Sequence, residues 1–183
     1  MKNESSLILK EIENCLDNSD FHQIENFIRI ILSAENIIVF GAGRVGFVMK
    51  SFSMRLNHLG LNSFFLHDTN VPATGHRDLL IVGSGSGTTR SVSEIVSLAK
   101  RNNLQVICAT ANPNSNIAKN SSAAIFIKAP TKHDLTIPRF SKQPMTTLFE
   151  QTLFIILDSI VLKLMEKLNQ NHDSMSERHN ILE

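Results

Sequence analysis

Hydrophobic positions change their rhythm along this chain. At the start they recur at helical spacing: Leu7, Ile8, Ile12 and Leu16, then Phe21, Ile24, Phe27, Ile28 and Ile31 within 20–32. Asp20 and Gln23 form a capping-box-like pair, which predicts that the second helix begins at Asp20. From residue 37 the pattern becomes short apolar runs: IIVF (37–40), NSFFLH (62–67), DLLIVG (78–83), QVICAT (105–110) and AAIFIK (123–128). Continuous apolar runs suit strands covered on both faces. Helical stretches at 44–59, 89–101 and 114–119 separate several of them. Strands alternating with helices predict a parallel sheet with right-handed crossovers between two helical layers.

One irregular stretch, 129–145, carries Pro130, Pro138 and Pro144 and has the length of a lid or contact segment. A long helix, 147–168, follows it. Its apolar face (Leu153, Ile156, Leu157, Ile160, Val161, Leu164 and Leu168) reads as core or subunit contact. The tail 171–183 is polar, and its ending SERHNILE predicts a short helix.

The 183 residues fit a single domain, divided into N-terminal helices (3–33), an α/β core (36–128), the loop 129–145 and a C-terminal helix with tail (146–183). A 42% apolar and 19% charged composition is that of an ordinary globular chain. The net charge of +1 favours neither nucleic acid nor an anionic membrane as a partner. Cys15 and Cys108 have no metal-ligand spacing, and Cys108 reads as a buried strand residue. No leader pattern opens the chain, and the most apolar window, 153–164, is short and holds Asp158 and Lys163. A cytoplasmic protein is expected.

Two glycine-rich segments follow strand runs, where open parallel sheets bind ligands. The first, Gly41-Ala42-Gly43-Arg44-Val45-Gly46, matches G-x-G-x-x-G, with Asp68 near the end of the next run; this suits a dinucleotide, and equally a closely packed turn. The second, Ser84-Gly85-Ser86-Gly87-Thr88-Thr89, combines glycines that let amides turn toward an anion with hydroxyl donors and a helix N-terminus. Those donors converge as a phosphate monoester requires, and no lysine stands in Walker-A spacing. This loop is expected to hold a phosphate group.

Glu150 stands in TTLFEQ at the start of the long helix. There it fits a capping box begun by Thr147, and it fits a general base in dry surroundings. His58 ends a helical stretch, where an imidazolium is favourable for dipole reasons, and His179 lies in the tail. His22, His67, His76, His133 and His172 carry no motif.

Taken in order, GAGRVGFVMKSFSMRLNHLG (41–60), DLLIVGSGSGTT (78–89), the Asn112-Pro113 pair, QPMTTLFEQTLFIILDSIVLKLM (143–165) and the ending RHNILE resemble the 6-phospho-3-hexuloisomerases. These are small members of the sugar isomerase (SIS) domain group. The resemblance spans nearly the whole chain. It implies an α/β SIS fold, a three-layer α-β-α sandwich on a five-stranded parallel sheet of flavodoxin or Rossmann kind, assembled as a homotetramer. It implies interconversion of D-arabino-hex-3-ulose 6-phosphate and D-fructose 6-phosphate, a step of the ribulose monophosphate pathway of formaldehyde fixation. Carried over residue by residue, it places the phosphate on Ser84, Gly85, Ser86, Gly87, Thr88 and Thr89. Gly43, Arg44 and Val45 then border the sugar, and Glu150 is the proton-transferring base. His58 and His179 are candidates for moving hydroxyl protons, within the chain or from a neighbour. Such a reaction calls for no metal and no cofactor. Two positions depart from the family: Thr88 where Glu is usual, and Val45 where Ser is usual. The alternatives are a SIS isomerase for another sugar phosphate, such as a pentose phosphate, and a non-catalytic module that senses one.

Overall fold

The computed structural model describes residues 1–131 and 141–182. The two early amphipathic segments form α1 (Lys2–Asp17) and α2 (Ile24–Ser33). The predicted cap at Asp20 is corrected: α2 begins four residues later, with Gln23 in the cap position and no side-chain cap. Long-range pairing outcompetes the local cap. The Asp20 amide donates to the Phe126 carbonyl at 3.0 Å, and its carboxylate accepts the His22 amide instead.

The apolar runs become β1 (Ile37–Gly41), β2 (Ser63–Phe65), β3 (Leu79–Ser84), β4 (Gln105–Thr110) and β5 (Ala123–Phe126). Between them lie α3 (Gly43–His58), α4 (Arg90–Arg101) and α5 (Asn116–Lys119). The five strands are parallel, in the order β2-β1-β3-β4-β5. α6 (Thr147–Lys167) and α7 (His172–Ser176) complete the chain. The short helix expected at SERHNILE begins upstream and ends at Ser176, the first residue of that segment. Asn171 and Ser174 form a reciprocal capping box that starts α7 at His172, whereas the residues after Ser176 turn back.

Alternate residues of each strand feed two cores. Ile37, Val39 and Ile81 face α1, α2, α3 and α6, together with Phe27, Met49, Phe52, Phe149 and Leu153. Ile38, Phe40, Leu80 and Val82 face α4 and α5 with Val92, Val96 and Ile117. This is the expected three-layer α/β sandwich. Cys108 lies in the second core, where burial pushes its thiol up to about 11. The strand order reverses at β1, since β2 lies to one side and β3 to the other. The carboxyl ends of β1 and β3, paired at Gly41 and Gly83, therefore bring the two glycine-rich loops side by side at the topological switch point. Among the described residues no helix is long and apolar enough to cross a membrane.

Candidate active site

The loop after β3 is a turn held mostly by its own polar groups. Ser84, buried at the strand end, has its Oγ 3.0 Å from Thr89 Oγ1 and accepts the Gly87 amide at 3.2 Å. Ser86 Oγ accepts both the amide and the hydroxyl of Thr88, each at 3.2 Å. Gly87 has φ +65°, and a Cβ there would collide with the Ser115 side chain. The end of β4 supports the turn from below: Thr110 Oγ1 and the Ala111 amide both donate to the Gly85 carbonyl. Asn112, of the Asn-Pro pair, donates to the Ser86 carbonyl at 3.4 Å. Thr89 occupies the N-cap of α4 without capping it through its side chain. The first-turn amides of α4 and its positive dipole end are thus aimed at the turn, as a bound phosphate requires.

The neighbouring loop spends its glycines differently. Gly43, at φ +58°, makes the turn into α3. A Cβ on Gly46 would stand 2.6 Å from the Gly41 carbonyl oxygen, and one on Gly83 would stand 2.8–2.9 Å from Val45 Cγ1 and Met49 Sδ. The pattern G-x-G-x-x-G therefore has a packing cause: it seats α3 directly on the sheet. Asp68, which a dinucleotide reading would place on a ribose, pairs with Lys50 at 2.9 Å. Val45, expected to border substrate, turns its side chain inward. It is buried in the core under Gly83 and leaves only its backbone near the loop.

α6 brings its first turn to both loops. The Phe149 ring is fully buried and lies where a Cβ on Gly85 would touch it at 3.3 Å. Glu150, next in the chain, has a side chain only 9% exposed. The capping-box reading of Glu150 is corrected. Thr146, not Thr147, holds the N-cap position, and no side chain caps the helix. The Thr147 hydroxyl donates to the Pro144 carbonyl instead. The carboxylate of Glu150 accepts from Arg44 Nε at 2.5 Å on one oxygen and from Thr146 Oγ1 at 2.8 Å on the other. An open cavity of about 550 Å3 lies against Arg44, Glu150 and Gln151, walled by Phe47 and Phe154. Thr146 escaped the sequence reading; its one signal is a hydroxyl one helical turn before the carboxylate.

The SIS domain profile matches residues 30–157, more than half of the chain. The chain belongs to the SIS domain family. It is 36% identical to the 3-hexulose-6-phosphate isomerase of Bacillus subtilis over 96% of this chain and 95% of that one. It is 34% identical to the enzyme of the same name from Mycobacterium gastri, over 99% and 90%. A crystal structure from Methanococcus jannaschii, described as inferring a 3-hexulose-6-phosphate isomerase function, superposes with a TM-score of 0.84. It has 31% identity and covers 99% of each chain.

In this SIS domain the two candidate histidines lie away from Glu150. His58 is the last residue of α3, about 21 Å along the helix axis from Arg44. Its ring is buried, 5.4 Å from that of His179, and its Nδ1 is 3.1 Å from an Arg55 nitrogen. His172, which no motif marked, lines the same cavity of about 600 Å3. Within one chain, Arg44 meets Glu150, the neighbouring Phe149 ring abuts Gly85 of the 84–89 loop, and His58 meets His179 elsewhere. His133 and most of the expected loop 129–145 lie outside the described residues.

Proposed function

We propose that this chain is a 6-phospho-3-hexuloisomerase, a cytoplasmic enzyme of one domain that interconverts D-arabino-hex-3-ulose 6-phosphate and D-fructose 6-phosphate. The observation that carries the reading is a buried carboxylate, Glu150, next in the chain to the Phe149 ring that abuts Gly85, in a loop suited to a phosphate monoester. The named relatives supply the substrate. The 84–89 loop holds the phosphate, and Gly43, Arg44 and the Val45 backbone border the sugar. Glu150 takes the C2 proton of the 3-ketose, leaving a 2,3-enediolate, and returns it to C3. One carboxylate on one face of the intermediate serves both steps. Arg44 binds Glu150 through Nε, which leaves its other donors to meet the oxyanion as charge develops.

His58 and His179 cannot reach their own Glu150 across the length of α3. We assign them to hydroxyl proton transfer in the site of a neighbouring copy within a homotetramer. The exposed apolar side chains Phe47, Phe154 and Leu162 on α3 and α6 support such an assembly.

The test is turnover of the authentic 3-hexulose phosphate, read by coupled detection of fructose 6-phosphate, beside a panel of other ketose phosphates. Glu150→Gln is expected to lower kcat by roughly 10³-fold while calorimetry still registers fructose 6-phosphate binding. An active Glu150→Gln enzyme refutes the base assignment. Turnover of a pentose phosphate alone refutes the substrate.

A further inference from the structure

Among the described residues three carboxylates are buried: Glu11, Asp78 and Glu150. Asp78 ties a turn, accepting the amides of Asn36 and Gly75. Glu11 sits on α1, and no part of the proposed chemistry uses it. Its Oε2 accepts from Ser141 Oγ at 2.6 Å and from Gln143 Nε2 at 3.1 Å, and its Oε1 accepts from the Lys142 amide at 2.8 Å. One carboxylate thus collects three consecutive residues, while Ser141 Oγ also accepts the Gln143 amide.

What those three residues lead into is the site. Pro144 follows and accepts from both the amide and the hydroxyl of Thr147. Met145 is held at φ +56°, and Thr146 comes next, its hydroxyl on Glu150. The turn is therefore pinned by Glu11 at one end and by the first turn of α6 at the other. We propose that Glu11 is a positioning residue for Glu150, anchoring the turn 141–146 so that the Thr146 hydroxyl holds the Glu150 carboxylate. The role rests on the reading of Glu150 as the base.

A carboxylate suits this task because both oxygens only accept. A glutamine of the same shape would turn its amide toward at least one donor. Burial alone would raise the Glu11 carboxyl. The donors from Ser141, Lys142 and Gln143, with the Lys142 charge, outweigh that and hold it below its ordinary value. The group is therefore the anion at neutral pH.

The experiment is a double-mutant cycle in the full chain with hex-3-ulose 6-phosphate: wild type, Glu11→Gln, Thr146→Val and the double variant. Glu11→Gln is expected to lower kcat roughly tenfold with KM held within about twofold. The double variant is expected to fall no further than Thr146→Val, within about twofold, because both changes act through one hydrogen bond. Losses that multiply, or a lower Tm with unchanged kcat, mark a merely structural role and overturn the proposal. If Glu11→Gln does not fold, Ser141→Ala and Gln143→Ala each remove one donor. Each must then lower kcat about two- to threefold, again without multiplying the loss of Thr146→Val; unchanged kcat overturns the proposal. A wild type that turns over no ketose phosphate sinks the proposed activity instead. Crystal structures of wild type and variant then decide the positioning alone: the 2.8 Å contact from Thr146 to Glu150 must open beyond about 3.5 Å in the variant. A contact left in place overturns it.

Discussion

The loops after β1 and β3 leave neighbouring strands at paired residues, and each is rich in glycine. Their environments differ in kind. Around the first loop, a missing Cβ makes room for the protein itself: the Gly41 carbonyl under Gly46, and Val45 and Met49 under Gly83. Around the second, Gly85 likewise abuts the Phe149 ring, but Gly87 leaves room for the polar side chains Ser115 and Thr110, and hydroxyls of Ser84, Ser86, Thr88 and Thr89 line the turn. Glycine content therefore does not distinguish a turn packed against its own protein from a turn lined with hydroxyl donors. The groups around it do.

Gly46→Ala is the strongest way to break this comparison. Its Cβ would meet backbone, which cannot step aside as a flexible side chain can. A destabilisation of about 3 kcal/mol is expected in denaturant unfolding. The fraction that remains folded should bind fructose 6-phosphate with unchanged affinity. A large loss of affinity at preserved stability would give Gly46 a binding role in place of the packing one.

Gly87→Ala tests the opposite assignment. An L residue at φ +65° costs about 1–2 kcal/mol, and the collision with Ser115 adds to it. Because the turn itself moves, sugar-phosphate Kd is expected to rise at least about tenfold. Calorimetry on protein verified as folded by circular dichroism reads the change. Affinity retained in Gly87→Ala would remove the phosphate from this loop.

Why the second loop was legible in the sequence, and the carboxylate's surroundings were not, follows from where the partners lie. All the loop's hydroxyls fall within six consecutive residues, and continuous apolar runs announced the strands around it. Glu150 takes Arg44 from 106 residues away, and Glu11 takes Ser141 from 130 residues away. No local pattern encodes either meeting. The same cause misled the two helix starts. Asp20 and Thr147 look like caps, but the Asp20 amide is claimed by Phe126 and the Thr147 hydroxyl by Pro144. The strand run NSFFLH shrank to three residues at the sheet edge, where pairing comes from one side only. His58 and His179 approach each other only because α7 and the residues after it fold back. Arg178 there donates to the His58 carbonyl and to Gln170.

The two departures from the family pattern, one in each loop, give the finest form of the comparison. Val45 is buried and Thr88 is exposed, so restoring the usual residue should have separable effects. Val45→Ser puts a hydroxyl into a core built around Gly83 and Met49. It is expected to cost about 1–2 kcal/mol of stability while KM stays within about twofold. Thr88→Glu leaves stability within about 0.5 kcal/mol. By placing a second negative charge beside the bound phosphate, it is expected to raise KM about threefold. Salt should shrink the Thr88→Glu effect, because two exposed charges are screened, and should leave the Val45→Ser effect alone. Were Val45→Ser to change KM and Thr88→Glu to change stability, the phosphate would belong to the first loop and not the second, and the packing cause of the first loop's glycines would be incidental.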